Sequence, residues 1–219
     1  MRHEIQRHDI FRRLGTYPPR RRKISMPTTQ PIDFKSVISP TFRFYLRERT
    51  QPAHRRLDSM IGPIETPERY RAFVGGSYAH RLAVEAYLGS VSWPGALQGW
   101  RPTRIAPLIA LDLVDLGLDE PAIEPLALSN DMSCAIGVAY VLEGSALGAR
   151  LIARMAAGLG FDELHGARHL AGQERGLGNW RAFTSLIEEA DSIDRHTAAA
   201  AASATFEHAL RSMKNNGFC

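Results

Sequence analysis

The sequence predicts an all-α fold, a single multi-helical domain of roughly seven helices. Three observations carry that reading. From Ser39 onward apolar residues recur at the helical period. The pairs Ser39-Pro40 and Thr66-Pro67 stand where helices should open, with a capping hydroxyl and a proline in the first turn. Sustained apolar/polar alternation and Asn-Gly turns between β-branched runs are nearly absent, so strands are not expected.

The elements follow in order. Ser39-Pro40 is expected to open the first helix. Thr66-Pro67-Glu68 opens a second, carrying Tyr70, Phe73, Ser77 and Leu82. Ile105, Leu108, Ile109, Leu113 and Leu116 line one face of a third, and Gly117 follows where a C-terminal glycine belongs. A fourth runs from about Asp131 to Ala157 and stops at Gly158-Leu159-Gly160. Trp180, Phe183 and Ile187 mark another, and an alanine-rich helix spans about Ser192 to Met213.

The 219 residues are 44% hydrophobic and 23% charged, which excludes a wholly disordered chain and suffices for a core. The net charge of +4 is unevenly spread. Residues 1–25 hold eight Lys/Arg against Glu4 and Asp9, so the remainder is slightly acidic. We read 1–36 as a disordered basic extension and 37–219 as the helical domain. A solvated tail, or translation starting at Met26, explains that extension more simply than a transit peptide or a nucleic-acid arm. Cys134 and Cys219 form no disulfide framework and no C-x-x-C pair. No apolar run of about eighteen residues is apparent, so neither a membrane span nor a membrane partner is expected. A reducing cytoplasm is the expected compartment.

Three places break the helical rules. Arg47, Gln51, His54, Asp58 and Ile61 share one face of the first helix. His54 with Asp58 at i+4 is either an ordinary surface pair or an imidazole metal ligand whose Nδ1–H an acid holds. Pro52, inside the same helix, removes the bond to the Glu48 carbonyl and predicts a kink. On the fourth helix Gly137, Gly144 and Gly148 fall on one stripe, although each costs about 1 kcal/mol relative to alanine. Either a neighbouring helix or a flat ligand must come closer there than a Cβ allows. Third, Arg181 is flanked by Trp180 and Phe183, and an alanine run from Ala198 to Ala202 suits close helix contacts.

Two runs carry a family resemblance: Leu46-Arg47-Glu48-Arg49-Thr50-Gln51-Pro52-Ala53-His54-Arg55-Arg56-Leu57-Asp58 and Tyr140-Val141-Leu142-Glu143-Gly144-Ser145-Ala146-Leu147-Gly148-Ala149. The chain resembles the heme oxygenase family, in its bacterial, bacteriophytochrome-associated branch. The first run looks like the proximal-histidine helix of that family and the second like its distal glycine helix. Weaker echoes are Asp112-Leu113 with Gly117, Trp180-Arg181-Ala182-Phe183, and Ala201 to Phe206.

The resemblance implies heme between the two helices, as both cofactor and substrate. His54 would be the axial iron ligand with Asp58 or a nearby group orienting it, and Arg47 and Arg181 would face the propionates. Gly144, Ser145 and Gly148 would form the distal, catalytic face. The implied products are biliverdin, carbon monoxide and ferrous iron. O2 and an external electron donor, protein or reductant, are consumed, and no nucleic acid is involved. A neutral imidazole pushes less electron density onto iron than a thiolate does, which suits this chemistry. Many family members carry an aspartate after the first distal glycine; here Ser145 stands there, and Glu143 precedes that glycine. The segment Gly172-Gln173-Glu174-Arg175-Gly176 also departs from its aromatic-rich counterparts, which leaves a non-catalytic heme-binding or heme-sensing protein as the alternative. A di-iron site lacks its Glu-x-x-His pairs. His165 and His169, at i and i+4, are the nearest other approach to a metal spacing, and a solvated pair is the simpler reading.

Overall fold

A computed structural model of the chain describes residues 41–93, 97, 99–190 and 192–218. The basic extension, its boundary at residue 36, and Ser39 and Pro40 lie outside them. Eight helices follow one another: α1 (Phe42–Ile61), α2 (Pro67–Ser90), α3 (Ala106–Asp115), α4 (Met132–Gly144), α5 (Ala146–Gly158), α6 (Arg168–Arg175), α7 (Leu177–Glu188) and α8 (Arg195–Asn215). No strand occurs among the described residues; Asp162 and His165 form only an isolated bridge.

Several starts and stops obey local rules. The Thr66 hydroxyl accepts from Arg69 N at 3.2 Å, and Pro67 occupies the first turn of α2, as expected. Such a cap is worth about 1 kcal/mol. Gly117 takes φ +63° just beyond α3, the left-handed stop that glycine permits. The first helix corrects the expectation: it opens at Phe42 with Thr41 as its cap, because the Thr41 hydroxyl accepts from Phe44 N. It continues through Pro52 to Ile61 as one helix.

Three other helices begin without a capping side chain of their own or with added help from a distance. The Glu188 carboxylate, at the end of α7, accepts from Phe42 N (2.7 Å) and Arg43 N (2.8 Å) at the start of α1. Glu85 of α2 accepts from Ile105 N and Ala106 N, opening α3. Asp112 of α3 accepts from Arg168 N and His169 N, opening α6. Each supplies an acceptor and a negative charge to the positive end of a helix dipole.

Helix α2 is buried on nearly every side and forms the centre, with α4 and α8 against it. Phe42, Leu46, Leu88, Ile136, Phe183 and Ile187 join α1, α2, α4 and α7 into one cluster. Tyr70, Ile109, Leu113, Leu170 and Phe218 join α2, α3, α6 and the chain end into another. The alanines 198, 199, 201 and 202 of α8 are buried. At Gly137 a Cβ would overlap the Ala198 carbonyl and stand 3.0 Å from Ala202 N. Backbone therefore meets backbone where α4 crosses α8.

The expected single fourth helix is broken in two at Ser145. Together Met132–Gly158 is long and apolar enough, by length and composition, to cross a membrane, contrary to the expectation from the sequence. Over half of its most apolar stretch is buried against other helices, which marks it as a core rod.

Two histidine sites tie down loops. His80 Nδ1 and His208 Nδ1 lie 3.0 Å apart, and His208 Nε2 is 2.7 Å from the Glu124 carbonyl. That carbonyl only accepts, so His208 Nε2–H donates to it and His208 Nδ1 accepts from His80. Burial, with His208 and Arg81 nearby, pushes the His80 imidazole down to about 3, so it is neutral. At α3, the fully buried Asp112 holds His169 Nδ1 at 2.7 Å and Arg168. His169 Nε2 is a buried atom with no partner among the described residues.

Two predictions follow from this packing. Gly137→Val should lower stability by about 2–3 kcal/mol through overpacking against α8, whereas Gly148→Ala, at a position with open space, should be neutral or stabilising; thermal melts of the two variants check the contrast. For Asp112, burial alone would raise the carboxyl, but hydrogen bonds from His169 and Arg168 outweigh it and hold the group below its ordinary value. A carboxylate held low in the folded state stabilises at pH above its ordinary value and loses that contribution as acid carries the pH down toward its own. The difference in urea midpoint between wild type and Asp112→Asn should be constant above about pH 4 and shrink below it.

Candidate active site

His54 stands on α1 with its side chain 57% exposed. Its Nδ1 lies 2.8 Å from Asp58 Oδ2, one turn on, as the i, i+4 spacing requires. The acid accepts Nδ1–H, which leaves the Nε2 lone pair without a partner among the described residues. The ring packs edge-on against Phe206 of α8, centroids 5.4 Å apart. Beneath it a small apolar cluster of Ala53, Val141, Ala202 and Phe206 joins α1, α4 and α8. Imidazole orientation is thus set from two sides, by a carboxylate and by an aromatic edge.

Arg47, two turns before His54, is exposed and forms no ion pair among the described residues. Arg43 and Arg47 reach the neighbourhood of Tyr140 on α4: burial raises the Tyr140 phenol, and the two cations pull against that rise. Arg181 of α7 is likewise exposed and unpaired among the described residues. Trp180 beside it is core, and its ring stands 5.4 Å from Tyr140.

The three glycines do not act as one stripe. Gly137 serves helix packing, as described. At Gly144 a Cβ would meet the Trp180 ring at 3.7 Å, an ordinary contact. At Gly148 nothing lies within 4 Å. The exposed side chains of Leu147 (62%) and Leu151 (57%) stand on the same helix. Helix α1 packs on α8 and α7, whereas α5 packs on α6, α7 and α4. The histidine helix and the open glycine helix share no extensive interface.

Why the rod breaks at Ser145 is visible in the atoms around Leu142. The Leu142 carbonyl accepts from Ser145 Oγ at 2.6 Å and from Arg81 Nη1 at 3.2 Å. Two side-chain donors thus compete with the helical ladder for one acceptor. Gln173 Nε2 donates to Ser145 Oγ at 2.8 Å, so the divergent segment 172–176 is tied to the break. Gly172, in the same segment, lets α6 approach Leu108.

A buried polar assembly supports this point, and sequence reasoning missed most of it. Arg81 donates from Nε to Glu85 (3.0 Å) and from Nη2 to the Thr103 carbonyl (3.0 Å). Glu143, 2% exposed, accepts from Thr103 N (2.6 Å) and contacts Thr103 Oγ1 (2.9 Å). Asn179 Nδ2 donates to the same Thr103 hydroxyl. Burial raises the Glu143 carboxyl, although Thr103, Asn179 and Arg81 pull it back. The available signal was Arg81 and Glu85 at i, i+4 within an otherwise apolar helix; nothing local pointed to Thr103.

Among the described residues no group of three or more His, Cys, Asp or Glu could hold a metal. His165 and His169 do not meet at one: His169 is on Asp112, and His165 is 3.6 Å from Asp115. A metal held at His54 would therefore bring its other donors with it, as a porphyrin does. His54 offers one exposed nitrogen donor, with the exposed Arg47 two turns earlier on the same helix. The larger of the two described concavities, about 540 Å³, is lined by Gly99, Trp100, Ala182, Ser185, Leu186 and Glu189 and shares no residue with α1.

Heme oxygenase PigA of Pseudomonas aeruginosa is 30% identical over 165 residues, 72% of this chain and 83% of that protein. A heme oxygenase of Xanthomonas campestris pv. campestris is 32% identical over 112 residues, 50% of this chain and 67% of that one. No protein-family model matches the sequence. The NO- and CO-bound heme oxygenase from Neisseria meningitidis superposes with a TM-score of 0.67 at 24% identity, covering 82% of this chain and 94% of that one, so the fold is shared. By its similarity to PigA across most of both lengths, on this all-helical fold, the chain belongs to the heme oxygenase family.

Proposed function

We propose that this chain binds heme through His54 Nε2 and cleaves it oxidatively to biliverdin, carbon monoxide and ferrous iron, using O2 and electrons from an external donor. The observation that carries the proposal is the His54–Asp58 pair, an imidazole with one nitrogen tied and the other presented outward. Heme, when bound, supplies the iron at which O2 is reduced and the ring that is opened. Asp58 fixes the tautomer and the orientation of the ring. Arg47 and Arg181 would bind the propionates. Gly148 would leave the distal face open, and Ser145 holds the Leu142 carbonyl at the interruption between α4 and α5. The link from Gln173 to Ser145 favours the enzyme over a non-catalytic heme binder, because the divergent segment still bonds to the interruption beside the glycines.

Within the family we place the chain in the bacterial, bacteriophytochrome-associated branch, on the run Glu143-Gly144-Ser145. We place it in the cytoplasm, where the buried Cys134 stays a free thiol; burial and Asp131 push it up to about 11.

Anaerobic titration with hemin, followed by O2 and a reductant, tests the activity. Loss of the Soret band with a bilin absorbance rising is the expected result; a Soret band that persists under a working reductant overturns it. His54→Ala should abolish the axial-histidine signature of the ferric complex, and added imidazole should restore it. Gly148→Leu should fold as wild type, since its site is open, yet lose most bilin formation by filling the distal face. Melting curves and single-turnover absorbance separate those two effects.

A further inference from the structure

Beneath the break at Ser145 lies a cavity of about 10 Å³, room for about one water. Arg81, Thr103, Glu143, Ser145, Gln173 and Gly176 line it. Ser145 is a poor proton donor there: its hydroxyl hydrogen is committed to the Leu142 carbonyl, and its oxygen already accepts from Gln173. Glu143 is differently placed. Two carboxylates, Glu85 and Glu143, share the single cation Arg81. Glu85 has the closer claim, through Arg81 Nε and the two amides that open α3. Glu143 is left as the less compensated acid, facing Arg81 from α2, Thr103 from the connecting segment and Asn179 from α7.

We propose that Glu143, through the Thr103 hydroxyl, holds and passes the proton that a water in this cavity delivers toward the face of Gly144 and Gly148. The inference rests on the heme-cleaving reading above. The hydrogen bonds make the transfer balance. With Glu143 ionised, Thr103 Oγ1–H points at Oε2 while Oγ1 accepts from Asn179. Loading runs the same path in reverse: the cavity water, recharged by exchange with solvent, gives a proton to Oγ1 as Oγ1 gives its own to Oε2, after which Oε2–H donates to Oγ1 and the threonine hydrogen faces the cavity. One proton then passes from Oγ1 to the water and one from Oε2 to Oγ1, which regenerates the ionised arrangement. Burial, which raises the carboxyl, favours the proton-holding state. Arg81 is a positioning residue: it fixes Thr103 through its carbonyl and Leu142 through the break.

Glu143→Gln keeps the shape and the acceptor for Thr103 N but cannot hold a proton. Infrared spectra of the apo chain should show a protonated-carboxyl band, shifted in D2O, that is absent from the variant. The hemin complex of the variant should keep its affinity and His54 signature, yet form bilin about 10²-fold more slowly, with an altered pH profile. Thr103→Val should lose rate while keeping the carboxyl band, and Thr103→Ser should restore the rate. A native rate and pH profile in Glu143→Gln, or no carboxyl band from Glu143 between pH 5 and about 8, overturns the assignment; so does a fall in melting temperature with the rate unchanged. Failure of the native chain to take up hemin overturns the functional reading instead, and shows before any variant is compared.

Discussion

Backbone contact between α4 and α8 is the constraint on which the rest of the architecture depends. Gly137 has no side chain because the Ala198 carbonyl occupies that space, and the buried alanines of α8 continue the close approach. With α4 pressed onto α8, Phe206 of α8 comes under His54, and Val141 of α4 completes the apolar floor beneath the first helix. The α4–α8 contact therefore supplies the floor on which the His54 ring rests.

The turn itself is an electrostatic construction. Leu142 gives its carbonyl to a serine hydroxyl and a buried guanidinium, and that guanidinium is held by Glu85. Removing one partner from such a buried pair typically costs about 3–5 kcal/mol, because the other charge is left uncompensated. Glu85 does a second job by capping α3, so the interruption of the rod and the start of another helix answer to one carboxylate. Charge buried this deeply is expensive as stability alone; here it specifies a geometry.

Much of the fold was legible because its rules are local. The Thr66 cap, the Gly117 stop, the apolar face of α3 and the alanine helix each needed only residues a few positions apart. The His54–Asp58 pair was legible for the same reason. What escaped was long-range. Glu188 caps α1 from 146 residues away, and Asp112 caps α6 from 56. Glu143 finds Thr103 across 40 residues. Three glycines on one helical stripe looked equivalent, yet one faces another backbone, one an indole and one open space. A pattern in one dimension records that a Cβ is unwelcome, but not what stands in its place.

The outward-facing imidazole has a kinetic consequence. Asp58 and Phe206 fix its tautomer and rotamer in the folded chain, so that conformational entropy is already lost before any ligand arrives. On the heme-binding reading proposed above, capture of a porphyrin at Nε2 would require no refolding of α1, so its association rate would be set by encounter rather than by ordering of the histidine.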